Sequence, residues 1–298
     1  MNSSMFQRFI GIDWSGAKDC SNGSIQVAEF SLGSSHPKLV QPLGNSHWTR
    51  QAVFKYLDAL DDQPTIVGFD FAFSVPWPAA TGPLPSPDAA METAANVWER
   101  VDNICGNELN DFFAGPVWLS DDSPFRPFIY HYPSGHKGHA YKRDRLRTTE
   151  KIASRRPISV YHMAGAQVGQ GSFAGMRFLH ALRRGGRRDI AVWPFDETAR
   201  ARSIIVEVYP RLFWHLAGRR RPRRKDSEEI FYEKLRVTLL NFGVETNERI
   251  CGPSRDAADA VVTAAALCAI GVRDDAFRIP HPHQGEAIRE GWIFGVGG

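Results

Sequence analysis

Three runs rich in β-branched and aromatic residues open the chain, FQRFIGIDWS, SIQVAEFSL and KLVQPL, with clusters of Gly, Ser and Pro between them. Runs of this kind bounded by turn formers predict a meander of three strands. From Trp48 to Leu60 the period changes: Val53, Phe54, Leu57 and Leu60 recur at helical spacing, and a second buried strand, TIVGFDFAF, follows. The order is β-β-β-α-β. Pro76, Pro78, Pro83, Pro85 and Pro87 break the next stretch, after which helical patterns run from Asp88 to Val101 and from Asn107 to Phe113. Between Ala114 and Pro157 the chain is rich in Pro, Gly, His and aromatic residues without a clean period, which predicts a long functional loop or insertion rather than a linker. Helix GSFAGMRFLHALRR, strands DIAVWPF and RSIIVEVYP, and helix EEIFYEKLRVTLLNFG with Gly243 near its end continue the alternation. A long apolar helix, SRDAADAVVTAAALCAIGV, has Pro253 and Ser254 at its start and Gly271 at its end. No repeat and no domain boundary is visible, so residues 1–298 read as one α/β domain with an insertion at 76–190.

With 43% hydrophobic residues, 11% of all residues being aromatic, the chain can build a sizeable core, which excludes disorder as its default state. The longest apolar stretch, Ala257 to Val272, contains Asp259 and Thr263 and is shorter than the roughly 20 residues a bilayer span needs. The N-terminal MNSSMFQRFIGID lacks the charged start, apolar region and cleavage site of a secretion signal, so a cytoplasmic location is expected. Cys20, Cys105, Cys251 and Cys268 are scattered with no C-x-x-C pair, which argues against a zinc knuckle or a disulfide framework. The net charge of +3 conceals an asymmetry: residues 141–225 carry 21 Lys or Arg against 6 Asp or Glu, so the remainder is acidic. A basic surface beside an acidic one suits a polyanion, and nucleic acid is the expected partner of this segment. Solvated loops and helix faces are the alternative explanation of such charge density.

Acidic residues interrupt the apolar runs at particular places. Asp13 ends the first strand run and Asp70 occupies the corresponding place in VGFDFAF, so both fall where strands meet loops. Open α/β sheets bind ligands at the carboxyl ends of their strands, and two carboxylates there point into one crevice. Glu207, within IIVEVYP, is a third acidic residue inside a strand run. A carboxylate in an apolar run costs several kcal/mol unless it is paired or holds a cation, so repetition at three strands favours a shared ion. Asp256 and Asp259, three residues apart, share one face of the long apolar helix. Asp256 also has a plain explanation, since an acidic side chain in the first turn favours the helix dipole. Asp259 lies deeper among apolar neighbours and needs a partner. Oxygen ligands without Cys or His at coordinating spacing select Mg²⁺ or Mn²⁺, and a pair of such ions about 4 Å apart supports phosphodiester cleavage.

The succession GIDWSGA, VGFDFAFSVP, IIVEVYP, RDAADAVVTAAAL and EGWIFGV resembles the predicted RNase H-like nuclease family over nearly the whole chain. The resemblance implies an RNase H-like mixed sheet, three antiparallel strands followed by parallel ones, flanked by helices and carrying a long central insertion. It implies a hydrolase cutting nucleic acid with Mg²⁺ or Mn²⁺, two ions being expected. The family's acidic positions fall here on Asp13, Asp70, Glu207, Asp256 and Asp259, of which Asp13, Asp70, Asp256 and Asp259 are the expected metal ligands. Its variable central region corresponds to RDRLRTTE, where Arg145 and Arg147 are the candidates for phosphate contact.

Other readings compete. Actin-like and sugar-kinase folds also open on a G-I-D strand, with WSGA as a phosphate loop, but they need two copies of the core, and one is visible. Ser172 in VGQGSFAG lacks the G-x-S-x-G spacing of a hydrolase nucleophile. His131, His136 and His139, and likewise His281 and His283, lie in loops where solvent-facing or structural roles are commoner than metal binding. A non-catalytic scaffold of the same fold, gripping phosphates with RRRPRRK (Arg219 to Lys225), is the remaining alternative.

Overall fold

The computed structural model describes residues 6–20, 23–78, 92–106, 111–143, 145–153, 157–164, 168–185 and 189–297. In chain order the elements are β1 (Arg8–Asp13), β2 (Gln26–Ser31), β3 (Lys38–Val40), α1 (Arg50–Asp58), β4 (Thr65–Phe69), α2 (Ala94–Cys105), α3 (Pro116–Leu119), β5 (Tyr130–His131), β6 (His136–Lys137), α4 (Thr148–Ile152), β7 (His162–Met163), α5 (Val168–Arg184), β8 (Ile190–Val192), β9 (Ser203–Glu207), α6 (Pro210–Leu216), α7 (Glu228–Asn241), α8 (Arg255–Gly271) and α9 (Gln284–Glu290).

The main sheet has the order β3-β2-β1-β4-β9-β8. The first three strands run antiparallel, and β1, β4, β9 and β8 run parallel. A mixed α/β sheet with the antiparallel strands first is the coarse architecture that the sequence predicts. Its central strands β1, β4 and β9 are buried on both faces, so they read as near-continuous apolar runs. Ile10, Ile12, Val67, Phe69 and Ile205 belong to the core under α1, α2 and α5. Alternating with them, Phe9, Ile66, Ile204 and Val206 belong to the core under α6, α7 and α8. α2 and α5 thus form one of the sheet's covering layers, although both derive from the 76–190 span. β3 stops at Val40 because the following Pro42 lacks the N–H a ladder needs.

α8 begins at Ser254, whose side chain accepts from the Ala257 N–H. Its alanines let it lie close on β1: a Cβ added to Gly11 would stand 2.3 Å from the Ala260 carbonyl oxygen and 2.7 Å from the Ala264 nitrogen. Backbone cannot yield as a flexible side chain can. Gly11→Ala is therefore expected to lower the unfolding free energy by roughly 2–3 kcal/mol or more, read from the midpoint of urea denaturation. An unchanged midpoint would mean that α8 slides freely over β1.

Three expectations are corrected. Of the helix expected over Asn107 to Phe113, residues 107–110 lie outside the described residues, and Asp111 and Phe112 have φ of 53° and 57°, which a right-handed helix forbids. Asp111 instead serves α1, its carboxylate accepting from the N–H of Arg50 at 3.2 Å and of Gln51 at 2.6 Å. The helix expected from Asp88 starts at Ala94, capped reciprocally by Thr93 and Asn96, residues 79–91 again lying outside the described ones. The span from Ala114 to Pro157 is not a bare loop: it holds α3, α4, β5 and β6, and β5 and β6 join β7 in a small sheet of order β6-β5-β7. Among the described residues no helix is long and apolar enough to cross a membrane, and all four cysteines are free thiols.

Candidate functional site

The register that pairs Ile12 with Phe69 across the parallel β1 and β4 sets Asp13 beside Asp70, and the Asp70 N–H donates to the Ile12 carbonyl at 3.1 Å. Both residues fall on the α8 side of the sheet, since they alternate with Ile12 and Phe69. The first turns of α8 bring Asp256 and Asp259 to the same place. All four carboxylates line one crevice of about 360 Å³ at the carboxyl ends of the parallel strands.

Their environments differ. Asp259 is buried and held twice: the Trp214 Nε1–H donates to Oδ1 at 2.7 Å, and Arg221 forms a close ion pair with Oδ2. The same guanidinium lies 3.2 Å from Asp256 Oδ1. Asp13 is only 8% exposed, yet its carboxylate has no hydrogen-bond or ion-pair partner among the described residues. Burial pushes Asp13 well above the ordinary carboxylate range, and the charges of Asp259, Asp70 and Asp256 add to this against the pull of Arg221. Burial and Asp259 raise Asp70 to about 7, with Arg221 and Arg211 opposing. Asp259 is raised to about 6 by burial, and its contacts with Arg221 and Trp214 limit the rise. Arg221 thus reaches the inner carboxylates, and Arg211 adds to the positive charge facing Asp70.

Glu207 does not join this group. β9 pairs it with Phe69, one residue short of Asp70, so its side chain emerges on the opposite face of the sheet. There it accepts from the Phe73 N–H at 2.9 Å and meets Arg147 in a two-pronged ion pair. Arg147 is 1% exposed and bound also to Glu150 at 2.8 Å and to the Glu290 carbonyl at 2.9 Å, which removes it from the phosphate-binding role expected of it. Arg145 is half-buried with its guanidinium 4.8 Å from the centre of the Phe128 ring, and it does not line the crevice. The cations that do line it are Arg211, Arg221, Arg224 and Arg255. Of these, only Arg221 has a carboxylate partner among the described residues.

The other candidates resolve into structural roles. The Ser172 hydroxyl accepts from the Ala72 N–H at 3.0 Å and donates to the Val168 carbonyl at 2.8 Å, which leaves it no freedom as a nucleophile. His131 faces Ser134 and His136 faces the Arg126 carbonyl, while His139 is exposed. His283 stacks on Trp292.

A divalent ion is suited by the donor chemistry of the crevice: hard oxygens, and among them one buried carboxylate without a partner among the described residues. As arranged, no three Asp, Glu, His or Cys side chains among the described residues stand close enough together to enclose an ion. Arg221 supplies the positive charge next to Asp259 and Asp256, and an ion drawing on these two carboxylates would compete with it. Comparison with family models, with curated proteins and with solved structures finds no match to this chain.

Proposed function

We propose that the chain is an RNase H-like, metal-dependent hydrolase of phosphodiester bonds in nucleic acid. The strand order, antiparallel then parallel with the long helix over β1, supports the fold part of this reading. The observation that carries the activity is Asp13: a buried carboxylate without a partner among the described residues, beside Asp70 and facing α8, in a crevice that Arg211, Arg224 and Arg255 also line. Keeping such a group charged costs free energy that only a cation arriving from outside returns.

Asp13, Asp70 and Asp259 would hold Mg²⁺ or Mn²⁺, with Asp256 completing the set. The ion supplies an activated water and neutralises charge on the leaving oxygen. The remaining work falls to the protein. Arg211, Arg224 and Arg255 bind backbone phosphates, since each has a guanidinium without a carboxylate partner among the described residues. Arg221 balances the charge of Asp259 and Asp256. Trp214 fixes the Asp259 carboxylate by one oxygen and leaves the other to turn toward the ion.

A second reading, a nucleic-acid-binding scaffold without catalysis, is favoured by the pairing of Arg221 with Asp259 and by the absence of a closed ligand set among the described residues. Calorimetric titration with Mn²⁺ separates the two. Saturable binding is expected, weakened in Asp13→Asn by at least about a hundredfold, because loss of outer-shell partners alone costs 10–100-fold. Metal-dependent cleavage of labelled nucleic acid should vanish with it. Failure of wild type to bind Mn²⁺, alone or with an oligonucleotide present, would leave the scaffold.

A further inference from the structure

The small sheet carries side chains for which the crevice has no use. Tyr130 on β5 packs against Tyr141, with ring centres 5.4 Å apart, against His162 on β7 at 5.0 Å and against Tyr132 at 6.5 Å. The Tyr141 hydroxyl and His162 Nδ1 lie 2.8 Å apart, which fixes these two rings to each other. Strands of two residues cannot hold a sheet by their ladders alone, and ring packing accounts for Tyr130, Tyr141 and His162. It does not account for Tyr132, which is 68% exposed.

The charge around the rings has one sign. Lys137, Lys142 and Arg143 are exposed and form no ion pair among the described residues. Arg143 stands near enough to His162 and Tyr141 to oppose any positive charge on the former and favour negative charge on the latter. Rings with solvent-facing surface, interleaved with cations free of carboxylate partners, complement a polyanion that has faces to stack.

The sheet also adjoins the crevice. β7 packs on the first turn of α5, where a Cβ on Gly169 would stand 2.6 Å from the carbonyl oxygens of Val160 and His162, and Val168, Gln170 and Gly171 of that turn line the crevice. Ile158 lines it as well and is four residues from His162, a span of at most about 14 Å.

We propose that Tyr130, Tyr132, Tyr141 and His162 form a stacking surface for unpaired bases of single-stranded nucleic acid, with the flanking cations on its phosphates. Bases in a duplex have both faces covered, so this surface discriminates in favour of single strands. It deepens the hydrolase reading by naming the form of substrate led to the crevice, but the binding itself needs no metal.

Fluorescence anisotropy in EDTA tests it on the full chain, using a labelled oligothymidylate of about 15 nucleotides, near the upper end of single-strand site sizes, and a duplex of equal length. The single strand is expected to bind at least tenfold more tightly than the duplex. Tyr132→Ala, at an exposed position that does not endanger folding, should weaken single-strand binding about tenfold, while Tyr132→Phe stays close to wild type. Equal affinity for duplex and single strand, or a Tyr132→Ala protein that binds like wild type, overturns the proposal. If single strands bind through Tyr132 and the Mn²⁺ titration shows nothing, the stacking surface stands and the hydrolase reading falls.

Discussion

Arg147→Met is expected to lower the unfolding free energy by about 3–5 kcal/mol, the cost of stranding buried charge when one partner of an ion pair is removed. That is a large share of the roughly 5–15 kcal/mol that holds a domain together. Arg147 lies between Glu207 and Glu150, both buried, and its guanidinium is what keeps two carboxylates together away from water. It also joins distant parts of the chain: Glu207 ends a central strand, Glu150 belongs to α4, and the Glu290 carbonyl that Arg147 reaches is at the end of α9. Methionine matches the stem of the side chain and none of its five donors. Two controls make the cause identifiable. Adding Glu207→Gln and Glu150→Gln to Arg147→Met removes the stranded charge and should restore much of the loss. Lowering the pH should also narrow the gap between Arg147→Met and wild type, because burial already holds the Glu150 carboxyl above the ordinary glutamate range and, without the guanidinium to oppose it, protonation in the folded state becomes easier. A urea midpoint equal to that of wild type would show that the buried cluster does not depend on its cation.

That cluster also marks where the sequence ceases to be informative. Asp13, Asp70, Asp256 and Asp259 are legible because each interrupts an apolar run, and the cost of burying a lone carboxylate singles them out whatever the fold. Glu207 interrupts a run in the same way, but whether it faces the crevice depends on the pairing of β9 with β4. One residue of register decides the face, and register between strands far apart in sequence leaves no trace in either strand. Arg147 is the partner Glu207 needed, and nothing local to either residue connects them across 60 positions. Arg221 is hidden for another reason. It stands in RRRPRRK among chemically identical neighbours, and only the folded chain shows that this one turns inward to Asp259 while Arg223 pairs with Asp226. The reasoning that Asp259 requires a partner was sound, but it could not distinguish a guanidinium and an indole N–H from a metal ion. The β-β-β-α-β opening was legible from its long periodic runs. The small sheet was not, since strands of two residues display no period, and the aromatics that reveal it read as loop composition.

In the metal-free protein, Asp13→Asn is expected to raise stability at pH 8 rather than lower it, because a buried carboxyl whose pKa is raised costs the folded state free energy whenever it is charged. The sign follows from proton binding. Asp13 titrates well above the unfolded value near 3.8, and Asp70 titrates at about 7, so between those limits the folded state holds protons that the unfolded chain has released. Stability of the wild type must therefore fall as pH rises through this window, and it stays reduced above it. Asparagine at position 13 has no proton to lose and carries no charge. The advantage of Asp13→Asn should accordingly be greatest at pH 8 and vanish only below the unfolded value near 3.8, where the wild-type carboxyl is protonated in both states. Mn²⁺ should reverse the order, stabilising wild type by binding only its folded form and doing so more strongly as pH rises and the site gives up its protons. Thermal unfolding of both proteins at several pH values, with Mn²⁺ and with EDTA, reads all of this in one experiment. Were Asp13→Asn less stable than wild type at pH 8 in EDTA, Asp13 would be an ordinary structural carboxylate with a favourable environment. The crevice would then lose the unsatisfied carboxylate that makes it a site for a cation.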